Sequence, residues 1–257
     1  MRSSIQSLLA ASALLTTALA APAPAPAAAT GASFPITDLL DNNLTINEYA
    51  QQLEAEEDAS KRSVSLSPRQ FAGDTFNQLT DGTPCRDITV IYARGTTQDG
   101  NVGDAASEGP TFFNALASAV GGASRLAIQG VAYPADVFGF LAGGDAKGAE
   151  TMLNLINTAA SKCPSTKIVV SGYSQGAQLV HTATQKLSAS VAARVNAVVT
   201  FGDADRDEGF GPVAANKILI ICHDGDNICD NGIIITAEHR NYEIDAPAAA
   251  AFVKSKV

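Results

Sequence analysis

Lys167-Ile168-Val169-Val170-Ser171-Gly172-Tyr173-Ser174-Gln175-Gly176-Ala177 runs from a β-branched stretch directly into a Gly-x-Ser-x-Gly word. An apolar helical stretch, Gln175–Leu187, follows it. A strand that turns sharply into a helix strains the backbone at the turn, and small residues two positions to either side prevent a clash there. A serine so placed is lifted above the sheet, and the helix N-terminus behind it favours developing negative charge. The word alone is weak, and its plainer alternative is a helix N-cap serine. The strand before it and the helix after it make Ser174 the candidate nucleophile.

Outward from this turn, short runs of Ile, Val and Leu alternate with longer helical ones. Ile88–Tyr92, Leu126–Val131, Lys167–Val170, Ala197–Phe201 and Lys217–Ile221 read as strands. Pro110–Val120, Asp145–Ser161, Gln175–Leu187 and Ala246–Lys256 read as helices, with Pro110 and Pro247 suiting helix starts. Strands with little polar alternation are covered on both faces. The predicted fold is therefore α/β, a three-layer α/β/α sandwich around a mostly parallel five-stranded sheet over residues 71–257.

Residues 1–20 read as a signal peptide: Arg2 begins it, Leu8 to Leu19 is apolar, and Ala18-Leu19-Ala20 is a small-x-small cleavage site. That run is too short to span a bilayer. Residues 21–70 read as a disordered linker or pro-segment, from the Ala/Pro run 21–29 and the acidic stretch holding Glu54, Glu56, Glu57 and Asp58. Lys61-Arg62 offers a dibasic processing site, and Asn43-Leu44-Thr45 is a glycosylation sequon. The formal net charge of -9, with no Lys/Arg cluster, excludes a nucleic-acid partner. Four cysteines in a secreted chain suit two disulfides.

A serine hydroxyl needs a base, and the chain has three histidines. His181 lies in the helix after Ser174 and cannot turn back to it. His223 sits beside Cys222 in a segment a Cys222–Cys229 bridge would close, and His239 follows Ile233–Ile235. In α/β hydrolases the order is serine, acid, histidine, which selects His239 if Asp226 is the acid. A tight loop between two cysteines would give Asp226 a stiff mount. Asp203 or Asp205, after the strand Ala197–Phe201, remains the alternative acid. An oxyanion hole would take its amides from Gln175 and from the loop Ala93–Thr97, with Thr96 the choice there.

Tyr92-Ala93-Arg94-Gly95-Thr96-Thr97, Gly172-Tyr173-Ser174-Gln175-Gly176, Gly225-Asp226-Asn227-Ile228-Cys229 and Ala237-Glu238-His239 together resemble the fungal cutinases, over roughly residues 80 to 257. The resemblance implies a triad of Ser174, Asp226 and His239, an oxyanion hole from Thr96 and Gln175, and the bridges Cys85–Cys163 and Cys222–Cys229. It also implies a secreted, monomeric serine esterase acting on polyester or lipid-like esters, with no cofactor and no metal. Thr96 stands where many cutinases have Ser. Glu238 and Arg240 replace residues often Pro and apolar, and are expected to form a charge pair at the site's rim. Val137-Phe138-Gly139-Phe140-Leu141 resembles the family's apolar binding loop, with Ile233 and Ile235 as the opposite wall. Phe138 and Phe140 could instead be core. An acetylxylan esterase of similar fold and a catalytically silent surface-binding protein are the competing readings.

Overall fold

The computed structural model describes residues 31–57 and 70–257. The signal-peptide and Lys61-Arg62 readings lie outside the described residues. In chain order the elements are β1 (Phe34–Pro35), α1 (Ile46–Glu57), β2 (Ile88–Ala93), α2 (Glu108–Val120), β3 (Leu126–Gly130), α3 (Val137–Leu141), α4 (Ala146–Lys162), β4 (Lys167–Tyr173), α5 (Gln175–Gln185), α6 (Ala189–Arg194), β5 (Val195–Phe201), β6 (Ile218–Ile221), β7 (Ile234–Ile235) and α7 (Ala246–Lys254). Five strands form one wholly parallel sheet in the order β3-β2-β4-β5-β6. The strand that carries Ser174 at its end is thus central.

Period-two alternation divides the core. Val90, Tyr92, Val169 and Val199 face α2 and α7, where Phe112, Phe113, Leu116, Ala249 and Val253 cover them. Ile91, Ile168, Val170 and Val198 face α4, α5 and α6, against Met152, Ile156, Leu179 and Val180. Both faces of the sheet are buried, as the near-continuous apolar strands require. Cys85–Cys163 joins the chain just before β2 to the end of α4. No described helix is long and apolar enough to cross a membrane.

Residues 31–57 differ from the expectation of a disordered linker. The acidic composition of this stretch hides a well-signalled helix. Thr45 and Glu48 form a reciprocal capping box: the Glu48 carboxylate accepts from the Thr45 amide at 2.8 Å, and the Thr45 hydroxyl accepts from the Glu48 amide at 3.2 Å. Ile46, Ala50 and Leu53 then recur on one face of α1. Upstream, β1 pairs antiparallel with β7, Phe34 opposite Ile235 and Pro35 opposite Ile234. Val137–Leu141, read as a loop, is the short helix α3, capped by the Asp136 carboxylate accepting from the Gly139 amide at 2.7 Å.

Candidate active site

Ser174 sits between β4 and α5 with φ 55 and ψ -121, a left-handed strain that only a constrained turn retains. The flanking glycines are sterically required. A Cβ on Gly172 would overlap the backbone of Gly176, and one on Gly176 would overlap the Ala93 carbonyl. The Ser174 amide donates to the Phe201 carbonyl at 2.9 Å, tying the elbow to the neighbouring strand.

His239 lies in a 3-10 turn that follows β7. Its Nε2 is 3.0 Å from the Ser174 Oγ and its Nδ1 is 2.8 Å from Asp226 Oδ2. An ionised carboxylate can only accept, which places the ring proton on Nδ1 and leaves Nε2 to accept from the serine hydroxyl. Asp226 occupies the loop that Cys222–Cys229 closes. Its Oδ1 accepts from the Ile228 amide at 2.9 Å, and its Oδ2 also accepts from the Tyr242 hydroxyl at 2.7 Å. Burial alone would raise this carboxyl. The hydrogen bond and charge of His239, with the Tyr242 and Ile228 donors, outweigh it and hold Asp226 below the ordinary carboxylate range. The imidazole stacks on Tyr173, whose hydroxyl donates to the His239 carbonyl at 2.7 Å. A proton can therefore pass from hydroxyl to imidazole without any side chain moving.

Thr96 lies in the loop after β2, and its amide engages no backbone carbonyl among the described residues. Gln175 is the first residue of α5, where an amide has no partner inside the helix. The Gln175 side chain clamps the two, donating to the Thr96 hydroxyl at 2.9 Å and to the Asp136 carbonyl at 2.7 Å. The loop is braced behind by Gln98, which accepts from the Gly95 amide at 2.8 Å and donates to the Glu108 carboxyl at 2.6 Å. Burial pushes Glu108 up to about 8. Neither Tyr242 nor the Gln98–Glu108 brace was singled out from the sequence, where an aromatic three residues after a histidine carries no signal of its own.

The other candidate acids and bases are placed elsewhere. Asp203 pairs with His181, at 2.9 Å in the interior beneath α5, and Asp205 stands beside that pair. His223 lies 2.6 Å from Asp245. Glu238 and Arg240 do not pair with each other: Arg240 binds Glu54 of α1 at 2.9 Å. On the supposed apolar wall Phe138 is exposed at 71% and Leu141 is also exposed, whereas Phe140 is buried. Opposite them Ile233 is exposed and Ile235 is buried. The buried members Phe140 and Ile235 share one cluster with Val137, Ile228 and, from the N-terminal segment, Phe34, Ile36, Leu39, Ile46 and Ala50.

Residues 84–257 match the family model for cutinase. A cutinase of Botryotinia fuckeliana is 50% identical over 170 residues, covering 66% of this chain and 83% of the relative. A cutinase of Blumeria hordei is 42% identical over 223 residues, covering 87% and 91%, more of the chain than residues 84–257 alone supply. Among solved structures, Trichoderma reesei cutinase in complex with a phosphonate inhibitor aligns with a TM-score of 0.65 at 44% identity, covering 70% of this chain and 78% of that one. An acetylxylan esterase aligns with a TM-score of 0.56 at 29% identity, covering 67% and 99%. By its sequence, its parallel sheet and its serine elbow, the chain belongs to the cutinase family.

Proposed function

We propose that this member of a family of carboxylic ester hydrolases works by acyl transfer through Ser174, His239 and Asp226, on aliphatic esters of the cutin type. The observation that carries the assignment is the unbroken hydrogen-bonded line from the Ser174 Oγ through both nitrogens of His239 to the Asp226 carboxylate, at 3.0 and 2.8 Å.

His239 Nε2 takes the serine proton as Oγ attacks the ester carbonyl. The carbonyl oxygen becomes an oxyanion that the Thr96 and Gln175 amides stabilise. Collapse expels the alcohol, which leaves with the proton held by His239, and Ser174 keeps the acyl group. Water, deprotonated by the same nitrogen, attacks the acyl-enzyme, and the carboxylic acid departs as Oγ recovers its proton. Asp226 holds the imidazole in one tautomer and offsets its positive charge. Tyr242 is a positioning residue: its hydroxyl fixes the carboxylate that fixes the histidine. Phe138, Phe140, Leu141, Ile233 and Ile235 supply the apolar walls for the acyl chain.

The same proposal takes residues 1–20 as a signal peptide, the two disulfides as suited to an oxidising extracellular compartment, and the enzyme as a monomer. Residues 21–70 are a pro-segment whose described part packs on the catalytic body.

Ser174→Ala should abolish hydrolysis of p-nitrophenyl butyrate, by about a million-fold in turnover. Activity retained at the wild-type rate would refute the nucleophile. The likeness to an acetylxylan esterase favours one second reading. A panel of acetylated xylan, butyrate esters and cutin separates the two, since preference for xylan acetyl groups would select it.

A further inference from the structure

Ser174, His239, Thr96 and Gln175 are each 0% exposed, although an ester hydrolase must admit a carbonyl to all four. The chain's own N-terminal segment bonds to the residues next to two of them, Thr97 and Arg240. We propose that residues 34–54 form an autoinhibitory strap whose apolar side chains occupy the acyl groove, so that the strap must lift before an ester can reach Ser174. This rests on the serine esterase reading above.

Three observations converge. First, the strap spans the site and is anchored on both sides of it. On one side the Ile46 amide donates to the hydroxyl of Thr97, the residue after Thr96, at 2.9 Å. On the other, Arg240, the residue after His239, binds Glu54 at 2.9 Å and the Ala32 carbonyl at 3.1 Å. The Ile36 amide donates to the Ile233 carbonyl at 2.9 Å, and β1 continues the pairing with β7.

Second, the strap packs against buried residues of both walls. Phe34, Ile36, Leu39, Ile46 and Ala50 are buried together with Val137 and Phe140 from one wall and Ile228 and Ile235 from the other. An alkyl chain entering the groove would bury the same wall surface, so strap and substrate compete for one volume by the same apolar chemistry. Among the described residues the strap makes no covalent link to the groove, and its polar anchors are the few just named. It is therefore held by contacts that a substrate can replace.

Third, Phe138, Leu141 and Ile233 remain exposed at the rim, outside the strap. Isolated apolar residues of this size beside a closed groove offer an apolar ester its first contact. Binding there draws the strap out, because ligand stabilises only the open state.

The test locks and releases the strap. Pro35 and Ile234 face each other across the β1–β7 pair, so Pro35→Cys with Ile234→Cys places two thiols in register for a cross-strand bridge. With the bridge formed, confirmed by intact mass, a p-nitrophenyl alkylphosphonate should modify Ser174 at least about a hundredfold more slowly than in the same protein after mild thiol treatment. Wild type given the same thiol should keep its rate. A second variant loosens the strap without a new bond: Glu54→Ala with Ile46→Ser should be modified several times faster than wild type. Equal rates for bridged and released protein, or for wild type and the loosened variant, overturn the strap while leaving the esterase intact. Absence of phosphonate on Ser174 in wild type, released and loosened proteins alike overturns both.

Discussion

Two buried histidine–aspartate pairs, one with its histidine on α5 and the other beside the serine that precedes α5, look alike at first. His239 lies 2.8 Å from Asp226 and His181 lies 2.9 Å from Asp203, both pairs out of contact with solvent. The difference is what the second ring nitrogen meets. His181 Nδ1 faces the Gly209 carbonyl at 3.4 Å, so both its nitrogens face acceptors. Burial alone would lower the pKa of His181, but the hydrogen bond and charge of Asp203 outweigh it and raise it. A ring whose two nitrogens both face acceptors meets no group that could hand it a proton. His223, between the Glu238 carbonyl and Asp245, is placed the same way, and its pKa too is raised despite partial burial. Of the three histidines, only His239 has a ring nitrogen facing a hydroxyl. A buried His–Asp pair is not a site until something on its far side can give up a proton.

The largest effect that can break this distinction comes from exchanging the two aspartates. Asp226→Asn should lower kcat on p-nitrophenyl butyrate by about ten-thousandfold, because the amide stabilises the wrong tautomer of His239. Asp203→Asn should leave kcat within about twofold. It should instead lower the melting temperature by several degrees, since it removes one partner of a buried pair. Comparable losses of kcat in both variants would erase the distinction between the pairs.

A smaller effect sharpens it. Tyr242→Phe removes one donor from Asp226 while keeping the ring that stacks on His223. A hydrogen bond to a charged group is worth about 1.5–3 kcal/mol, so kcat should fall by about tenfold or somewhat more with KM retained. The acidic limb of the rate profile should move upward as the carboxylate loses a stabilising donor. An unchanged profile with a reduced melting temperature alone would make Tyr242 a packing residue.

The smallest concerns a third buried carboxyl that has no imidazole at all. Where Asp226 is held low, Glu108 is pushed up to about 8 by burial, with Gln98 as its side-chain partner. The folded state therefore keeps a proton that the unfolded chain sheds above about 4.5. Its contribution is fully present below that value and is lost as pH rises towards about 8, by at most about 5 kcal/mol. Glu108→Gln, which cannot ionise, should flatten the fall in melting temperature between pH 5 and pH 8. An equally steep fall would remove Glu108 as its source.

The catalytic half of the molecule was legible because its constraints are local and severe. Only a small-x-Ser-x-small turn after an apolar strand satisfies the elbow at 172–176, and a disulfide loop marks Asp226 among the candidate acids. Residue patterns left Asp203 and Asp205 open, since a position after β5 suits an acid equally well; family resemblance chose Asp226, whose Oδ2 lies 2.8 Å from His239 Nδ1. The strap was not legible for the opposite reason. Its apolar residues are dispersed through an acidic stretch, and composition averages away the pattern that Thr45, Glu48 and the face Ile46, Ala50, Leu53 carry. Nor could spacing reveal that Arg240 reaches Glu54, 186 residues away in the chain, rather than Glu238.

Phosphonylation of Ser174 in three proteins tests the central point most directly. Peptide mapping after exposure to a p-nitrophenyl alkylphosphonate should find one adduct, on Ser174, in the wild type. Its rate should fall by at least about a thousandfold in His239→Gln and stay within about twofold in His181→Gln. An adduct on another residue, or an undiminished rate in His239→Gln, would contradict the assignment of His239 as the base that activates Ser174.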